Sequence, residues 1–579
     1  MRLYQLAISV LTLLAADAAV AEVRVSEIFS SNMVLQRDKS VTVWGTADAG
    51  EEVTVAIAGQ SHTTTARDGR WKIALEPLEA GGPHEMEVTG TNTIVFSNIL
   101  AGDVWLCGGQ SNMDYDMSVY MRWPGKIGEA YTSIAANSPS YRDLRVVLMK
   151  KAAALPDETA VVPVEDDDVF RGTWQKCSTE VTPRMSATGF VFAQRLQAHL
   201  KIPVGLIDAN KGGSPVHTWY APESLRILDA PRDSMRNMYN AMIRTYRNFP
   251  IRGVIWYQGE SNAWTVESSR NYAAQFKAMI RGWRHDFNDP QMPFLFVQLA
   301  AYERNPFHQG VTYPILRDSQ AAALELKHTG MAVAIDLGDP KNIHPPYKLA
   351  LSDRLMLAAR KVTYGEDVVS SGPTFKSFRI DGGRVVVTFS HIGSGLAIRD
   401  VTLAGRKMPA DRLVGFQIAG SDEQFHEAEA TIDGDTVVVS SRDVKVPVAV
   451  RYGWRGFPYT NLYNREGLPA TPFRTDDYEI VINQKHVDLY NRRLYLPREL
   501  LRTQMTIEQR AQVAVIHDRH VTEDVEARIQ ELRRAYEEVY KTEGRGSSAY
   551  RKAVSDYNDY LKPIRARIGD EIRTARIFE

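Results

Sequence analysis

The sequence predicts an α/β fold: a parallel sheet with helices on both faces, flanked by β-sandwich-like domains and followed by a C-terminal helical extension. Three observations carry this reading. Between about Leu100 and Tyr364, apolar strand-like runs alternate with segments of helical period, the texture of βαβ units. On either side, short β-rich runs are punctuated by turn signals such as Asp48-Ala49-Gly50 and Asp68-Gly69. Beyond about Pro497 the chain becomes charged, with Val525, Ile529, Leu532, Tyr536 and Tyr540 at steps of three and four.

At 579 residues the chain exceeds what a single core supports, so several domains are expected. Residues 1–21 combine Arg2, an apolar run from Leu6 to Ala16 and the small-x-small sequence Ala19-Val20-Ala21, which reads as a secretory signal peptide and predicts export to the periplasm or beyond the cell. Its apolar run is shorter than the ~20 residues of a spanning helix, and no later stretch looks transmembrane. Residues 22–99 are expected to form an N-terminal β-sandwich from runs such as Val41 to Trp44, Glu52 to Ile57, Trp71 to Leu75 and Glu85 to Val88. Residues 100–365 form the α/β domain, in which Tyr272, Phe276, Met279, Ile280 and Trp283 mark one buried helix face. Residues 366–480 return to β texture, in Val385 to Phe389, Thr436 to Val439 and Val448 to Tyr452, and residues 497–579 read as a helical hairpin.

Composition narrows the function classes. A net charge of -1 gives no basic surface for nucleic acid, and the 13 histidines form no HExxH or paired Cys/His ligand spacing, so neither a metal site nor another cofactor is called for. Hydrolysis would have to come from side chains. The two cysteines, Cys107 and Cys177, are compatible with one disulfide or with two buried thiols. Nothing in the sequence indicates an oligomeric state.

In an open parallel sheet, ligands bind beyond the carboxyl ends of the strands. Four apolar runs end in polar loops: Val104 to Cys107 before Gly108-Gly109-Gln110-Ser111-Asn112-Met113, Val204 to Ala209 before Asn210-Lys211-Gly212-Gly213-Ser214, Val254 to Tyr257 before Gln258-Gly259-Glu260-Ser261-Asn262, and Ala332 to Ile335 before Asp336 to Asp339 and His344. A serine esterase needs a nucleophile on a tight turn, a base within reach and donors for the oxyanion, and these loops offer one candidate for each. The glycines before Ser111 allow a sharp turn, which makes Ser111 the expected nucleophile. Met113 departs from the G-x-S-x-G elbow of α/β-hydrolases.

Gly109-Gln110-Ser111-Asn112-Met113, Trp256-Tyr257-Gln258-Gly259-Glu260-Ser261-Asn262-Ala263 and Ile343-His344-Pro345 resemble the motif blocks of the sialate O-acetylesterase family, which belongs to the SGNH (GDSL-like) hydrolases. The resemblance extends to Asn32 through Arg37, Asn461 through Asn464 and Gly467-Leu468-Pro469, leaving the helical tail outside. It implies an SGNH-type sheet, Ser111 as nucleophile, His344 as base, and the Ser111 amide, a Gly212 or Gly213 amide and the Asn262 side chain as oxyanion donors. Gln110, Glu260, Trp219 and Trp264 are candidates for contact with substrate. The implied substrate is an O-acetylated sialic acid, with acetylated xylan or another polysaccharide as the alternative, and an inactive carbohydrate-binding protein as the rival of another class. Many SGNH hydrolases carry an aspartate three residues before the histidine, where this chain has Lys341. Lysine cannot accept the imidazole N–H, so Asp339 is the expected orienting residue, with Asp336 and Glu260 behind it.

Overall fold

A computed structural model describes residues 22–148, 172–231, 238–303, 309–480 and, with interruptions, 482–578. The expected signal peptide lies outside the described residues. The architecture hangs on one 17-residue strand, β1 (Thr93–Gly109). Its first six residues alternate between exposed and half-buried, and the remaining eleven are buried throughout. That change marks its passage from an antiparallel sheet with one wet face to the interior of a parallel sheet. The first half pairs with Gly81–Thr89 of the N-terminal β-structure, and the second is flanked by central-sheet strands on both sides. The domain boundary expected near residue 100 therefore falls inside a single strand.

The other strands of the central sheet are β2 (Leu144–Leu148), β3 (Trp174–Lys176), β4 (Val204–Asn210), β5 (Gly253–Tyr257), β6 (Phe294–Gln298) and β7 (Thr329–Val333). They lie in the order β3-β2-β4-β1-β5-β6-β7. All neighbours run parallel except the edge strand β3, which is antiparallel to β2, so the sheet is mixed where a parallel one was expected. β5 and β6 are buried at every position, as strands covered on both faces must be. The helix Val266–Asp286 starts at a Thr265/Ser268 capping box and buries Tyr272, Phe276, Met279, Ile280 and Trp283, the face read from the sequence.

Asp103, fully buried in β1, anchors the base of this sheet. It accepts from Gln36, Arg37, Arg252 and Tyr364, which come from three separate segments. Burial alone would raise its pKa, but Arg252 and Arg37 hold it below the usual carboxylate value. Residues 374–474 form two four-stranded antiparallel sheets that share a core of Val385, Val387, Phe389, Phe416, Ile418, Val450 and Phe473. Cys107 and Cys177 are both buried and free.

The helical tail is a compact unit of its own. Its described residues include three helices, Ile507–His520, Glu523–Glu543 and Ser548–Thr574; the second and third pack together as the expected hairpin, and the first precedes it. The first helix was not legible because its apolar residues, Val513, Ala514 and Ile516, form a narrow stripe interrupted by the buried His517. These residues pack with Ile529, Leu561, Ile564 and Ile568.

Asp103→Asn is expected to destabilise the α/β domain by about 3–5 kcal/mol at pH 7, because two partly buried guanidinium groups lose their counter-charge. Since the folded pKa of Asp103 is depressed, its contribution is complete above the ordinary carboxylate value and is lost as pH falls through the folded value. Chemical denaturation of both proteins at pH 7 and at acid pH should show the difference shrinking on acidification.

Candidate active site

The turn that carries Ser111 is fixed by close backbone approach. β1 ends at Gly109, whose φ of 142° lies outside the range of other residues; a Cβ there would sit 2.1 Å from the Tyr257 carbonyl oxygen of β5. Gln110 N–H donates to that same oxygen at 3.0 Å, and Lys211 N–H donates to the Gly109 carbonyl at 3.0 Å. The chain is thus held between β4 and β5 as it leaves the sheet, and Ser111 opens the one-turn helix α1 (Ser111–Asp114), half-exposed at the carboxyl end of the strands.

His344, in the loop after β7, places Nε2 2.8 Å from Ser111 Oγ. Its ring stacks on Tyr115, with centroids 4.2 Å apart and planes inclined by 27°. Burial, and then the neighbouring Lys348 ammonium, pull the imidazole down to a pKa of about 4. The histidine is therefore neutral at physiological pH and able to accept a proton.

The donors expected for an oxyanion converge on the same corner. Gly212 lies against Ser111, and its N–H is occupied by Asp114 Oδ2 at 3.0 Å. Gly213, at φ 75°, has no acceptor for its N–H among the described residues. Asn262 Oδ1 accepts from Val216 N–H at 3.0 Å and Gln258 Nε2 at 2.7 Å. Both donors face one end of the amide, so Nδ2 is the end left for a ligand. Gln258 is itself held by Gln110 Oε1, the Ser214 carbonyl and the Tyr272 hydroxyl.

The structure assigns different work to several residues expected at the site. Asp339 Oδ1 accepts from the N–H groups of Lys341 and Asn342 at 2.7 and 3.0 Å, closing a turn, and His344 makes no hydrogen bond to it. Asp336 is engaged by Arg354 at 2.6 Å and by the Tyr463 hydroxyl at 2.8 Å, and Glu260 by Asn112. The expected carboxylate orienter is thus absent among the described residues, because each of the three candidates already has partners. Trp219 is fully buried, donating to Ser214 Oγ and packed edge-on against Trp256, so it is core and not a wall for substrate. Gln110 and Glu260 are likewise buried and serve the loops from beneath. Trp264 is 62% exposed and retains the candidate role.

Sequence reasoning missed Tyr115 and Lys348. Tyr115 carries no local signal. Lys348 does: it starts the helix α2 (Lys348–Val362) and shares a face with Leu351, Ser352 and Leu355, a lysine inside an apolar stripe.

Asp339→Asn should keep kcat within about threefold of the parent, because an asparagine oxygen can close the same turn; a loss of the size expected for a triad carboxylate, about 10⁴-fold, would restore Asp339 to the base. Gly109→Ala should cost about 1–3 kcal/mol from the backbone conformation alone, and displacement of Ser111 should cut turnover by about 10²-fold. Melting curves and steady-state kinetics of the purified variants check both.

The family described as carbohydrate esterase, sialic acid-specific acetylesterase, matches residues 101–351. The chain is 30% identical over 399 residues to the sialate O-acetylesterase of Homo sapiens, spanning 60% of this chain and 73% of that protein. It is 30% identical over 429 residues to the enzyme of the same name from Rattus norvegicus, spanning 62% and 77%. Among solved structures, a carbohydrate acetylesterase from Xanthomonas citri is similar with a TM-score of 0.70 and 36% identity, covering 79% of this chain and all of that one. With Ser111 and His344 in contact at the strand ends and relatives 30% identical that the chain covers to 73% and 77% of their length, the chain belongs to the sialate O-acetylesterase family and is a carboxylic ester hydrolase.

Proposed function

We propose that this protein removes acetyl groups from O-acetylated sialic acid through a Ser111–His344 dyad. The 2.8 Å contact between Ser111 Oγ and His344 Nε2 carries this reading. His344 takes the Ser111 proton as Oγ attacks the acetyl carbonyl, and the oxyanion accepts from the N–H groups of Ser111 and Gly213 and from Asn262 Nδ2. Collapse of the adduct expels the sugar hydroxyl, which takes its proton from His344. Water activated by the same histidine then hydrolyses the acetyl-serine. The ring is held by Tyr115 and by Ser111 itself, which suits a dyad. Placement of Ser111, Gly213, Asn262 and His344 after β1, β4, β5 and β7 supports an SGNH-type assignment for the α/β domain.

The substrate is tested by acetate release from a panel of O-acetylated sialic acids and acetylated xylan. Preference for xylan by kcat/KM would replace sialic acid with the polysaccharide, and no release from either by a folded protein would favour a binding role. Ser111→Ala and His344→Ala should each abolish most turnover, and the double variant should lose little more, since the two act as a unit. Because the base works deprotonated and its pKa is about 4, kcat/KM should hold through pH 6 and fall as pH drops toward 4. An acid limb at the ordinary histidine value of about 6.5 would contradict this.

A further inference from the structure

Beneath the dyad, four segments meet at one buried side chain. Asn112 follows the nucleophile, is nearly inaccessible, and uses both ends of its amide. Its Oδ1 accepts from Lys348 Nζ at 2.5 Å, while Nδ2 donates to Glu260 Oε1 at 2.5 Å and to the Ile343 carbonyl at 2.9 Å. It therefore ties the nucleophile turn to the oxyanion loop through Glu260, to the residue before the base through Ile343, and to the helix behind the base through Lys348.

We propose that Lys348, Asn112 and Glu260 form one positioning relay, in which the lysine holds the Asn112 amide in the orientation that locks the Ser111, Asn262 and His344 loops together. The chemistry leaves one arrangement. An ammonium only donates, so it must face the amide oxygen; a carboxylate and a carbonyl only accept, so they must face the amide nitrogen. Flipping the amide would set two acceptors against its oxygen and a cation against its N–H groups. The relay rests on the dyad reading and extends it to residues that touch no substrate.

Its surroundings favour this use over simple packing. Lys348 lies 5.0 Å from the ring of Tyr257 and 5.9 Å from that of Tyr120, which give the buried cation two aromatic neighbours. Glu260 Oε2 is buried with no hydrogen-bond partner among the described residues, and Asn112, then the Glu260 backbone N–H and the more distant Lys348, are what favour the charge of the carboxylate. Burial pushes Lys348 down to about 7, with Glu260 opposing, and pushes Glu260 up. Two ionisable groups kept in so apolar a place cost stability, which an apolar pair of equal volume would avoid. The other titratable groups facing this cluster are the phenols of Tyr120, Tyr131, Tyr257, Tyr272 and Tyr313, all raised by burial and neutral throughout the working range, together with His344 and the Tyr115 stacked on it.

The test is a polarity swap assayed with 4-nitrophenyl acetate, with melting temperatures as the folding control. Asn112→Asp sets a carboxylate against Glu260 and the Ile343 carbonyl, and should lower kcat by about 10²-fold at little change in KM, the effect of misplaced reacting groups. Adding Glu260→Gln supplies a donor where the acceptor stood, and the double variant should regain at least tenfold over Asn112→Asp alone. Lys348→Met keeps the length of the side chain without its charge. It should move the acid limb of kcat/KM to higher pH, because the cation that depresses His344 is gone; a filler role would leave the limb in place. Ser111→Ala is measured alongside. An inactive Ser111→Ala together with a double variant no better than Asn112→Asp, or with an unmoved limb in Lys348→Met, overturns the relay and leaves the dyad standing. An active Ser111→Ala overturns the dyad reading itself.

Discussion

The contact on which the site depends is between two backbones: Gly109 at the end of β1 and Tyr257 at the end of β5. A side chain at position 109 would collide with the Tyr257 carbonyl, and the same carbonyl accepts from the N–H of Gln110. This approach lets the chain turn out of the sheet within two residues and delivers Ser111 at the crevice above the strand ends, where an open α/β sheet binds its ligands. A residue with a Cβ would push the turn away from β5, and Ser111 would separate from the loop carrying Asn262.

Beneath that turn the protein relies on amides more than on charges. Gln110 Oε1 accepts from the N–H groups of Ser261 and Gly259, Gln258 bridges Gln110 to Asn262, and Gln320 donates to the Gln258 and Val297 carbonyls. Amides suit a buried scaffold because each can donate and accept without the solvation penalty of an ion. The result is that the Asn262 side chain has its oxygen end occupied before any substrate arrives. A preorganised donor of this kind stabilises developing negative charge without having to reorient during the reaction.

The electrostatics around His344 follow from burial. A half-buried imidazole with a cationic neighbour and no carboxylate partner is a weaker base than one in a Ser-His-Asp triad, but it is uncharged over a wider pH range. Stacking on Tyr115 supplies orientation that a carboxylate would otherwise give. The three acidic residues expected as orienters hold a turn, an arginine and an asparagine. Asp336 in particular joins the loop after β7 to Arg354 of the following helix and to Tyr463 of the C-terminal β-structure.

The sequence by itself determined what depends on local pattern. Period-two runs such as Val41–Thr46 and Arg70–Leu75, the one-faced helix around Tyr272 and Trp283, and the glycine-marked loops after apolar strands all follow from side-chain spacing and backbone sterics. Ser111 and His344 were legible as strand-end residues, and the resemblance to known motif blocks drew them together. The tertiary structure decided what depends on which groups meet. Asp339 was the nearest acid in sequence to His344, yet a carboxylate two residues from an N–H closes its own turn first. Trp219 followed a motif loop but points into the core, since its position in the helical turn Val216–Trp219 sets it against Trp256. Lys348 and Asn112 meet across 236 residues of chain. No local rule anticipates that meeting, because a buried lysine is tolerated only where the fold assembles its acceptor and its counter-charge from elsewhere.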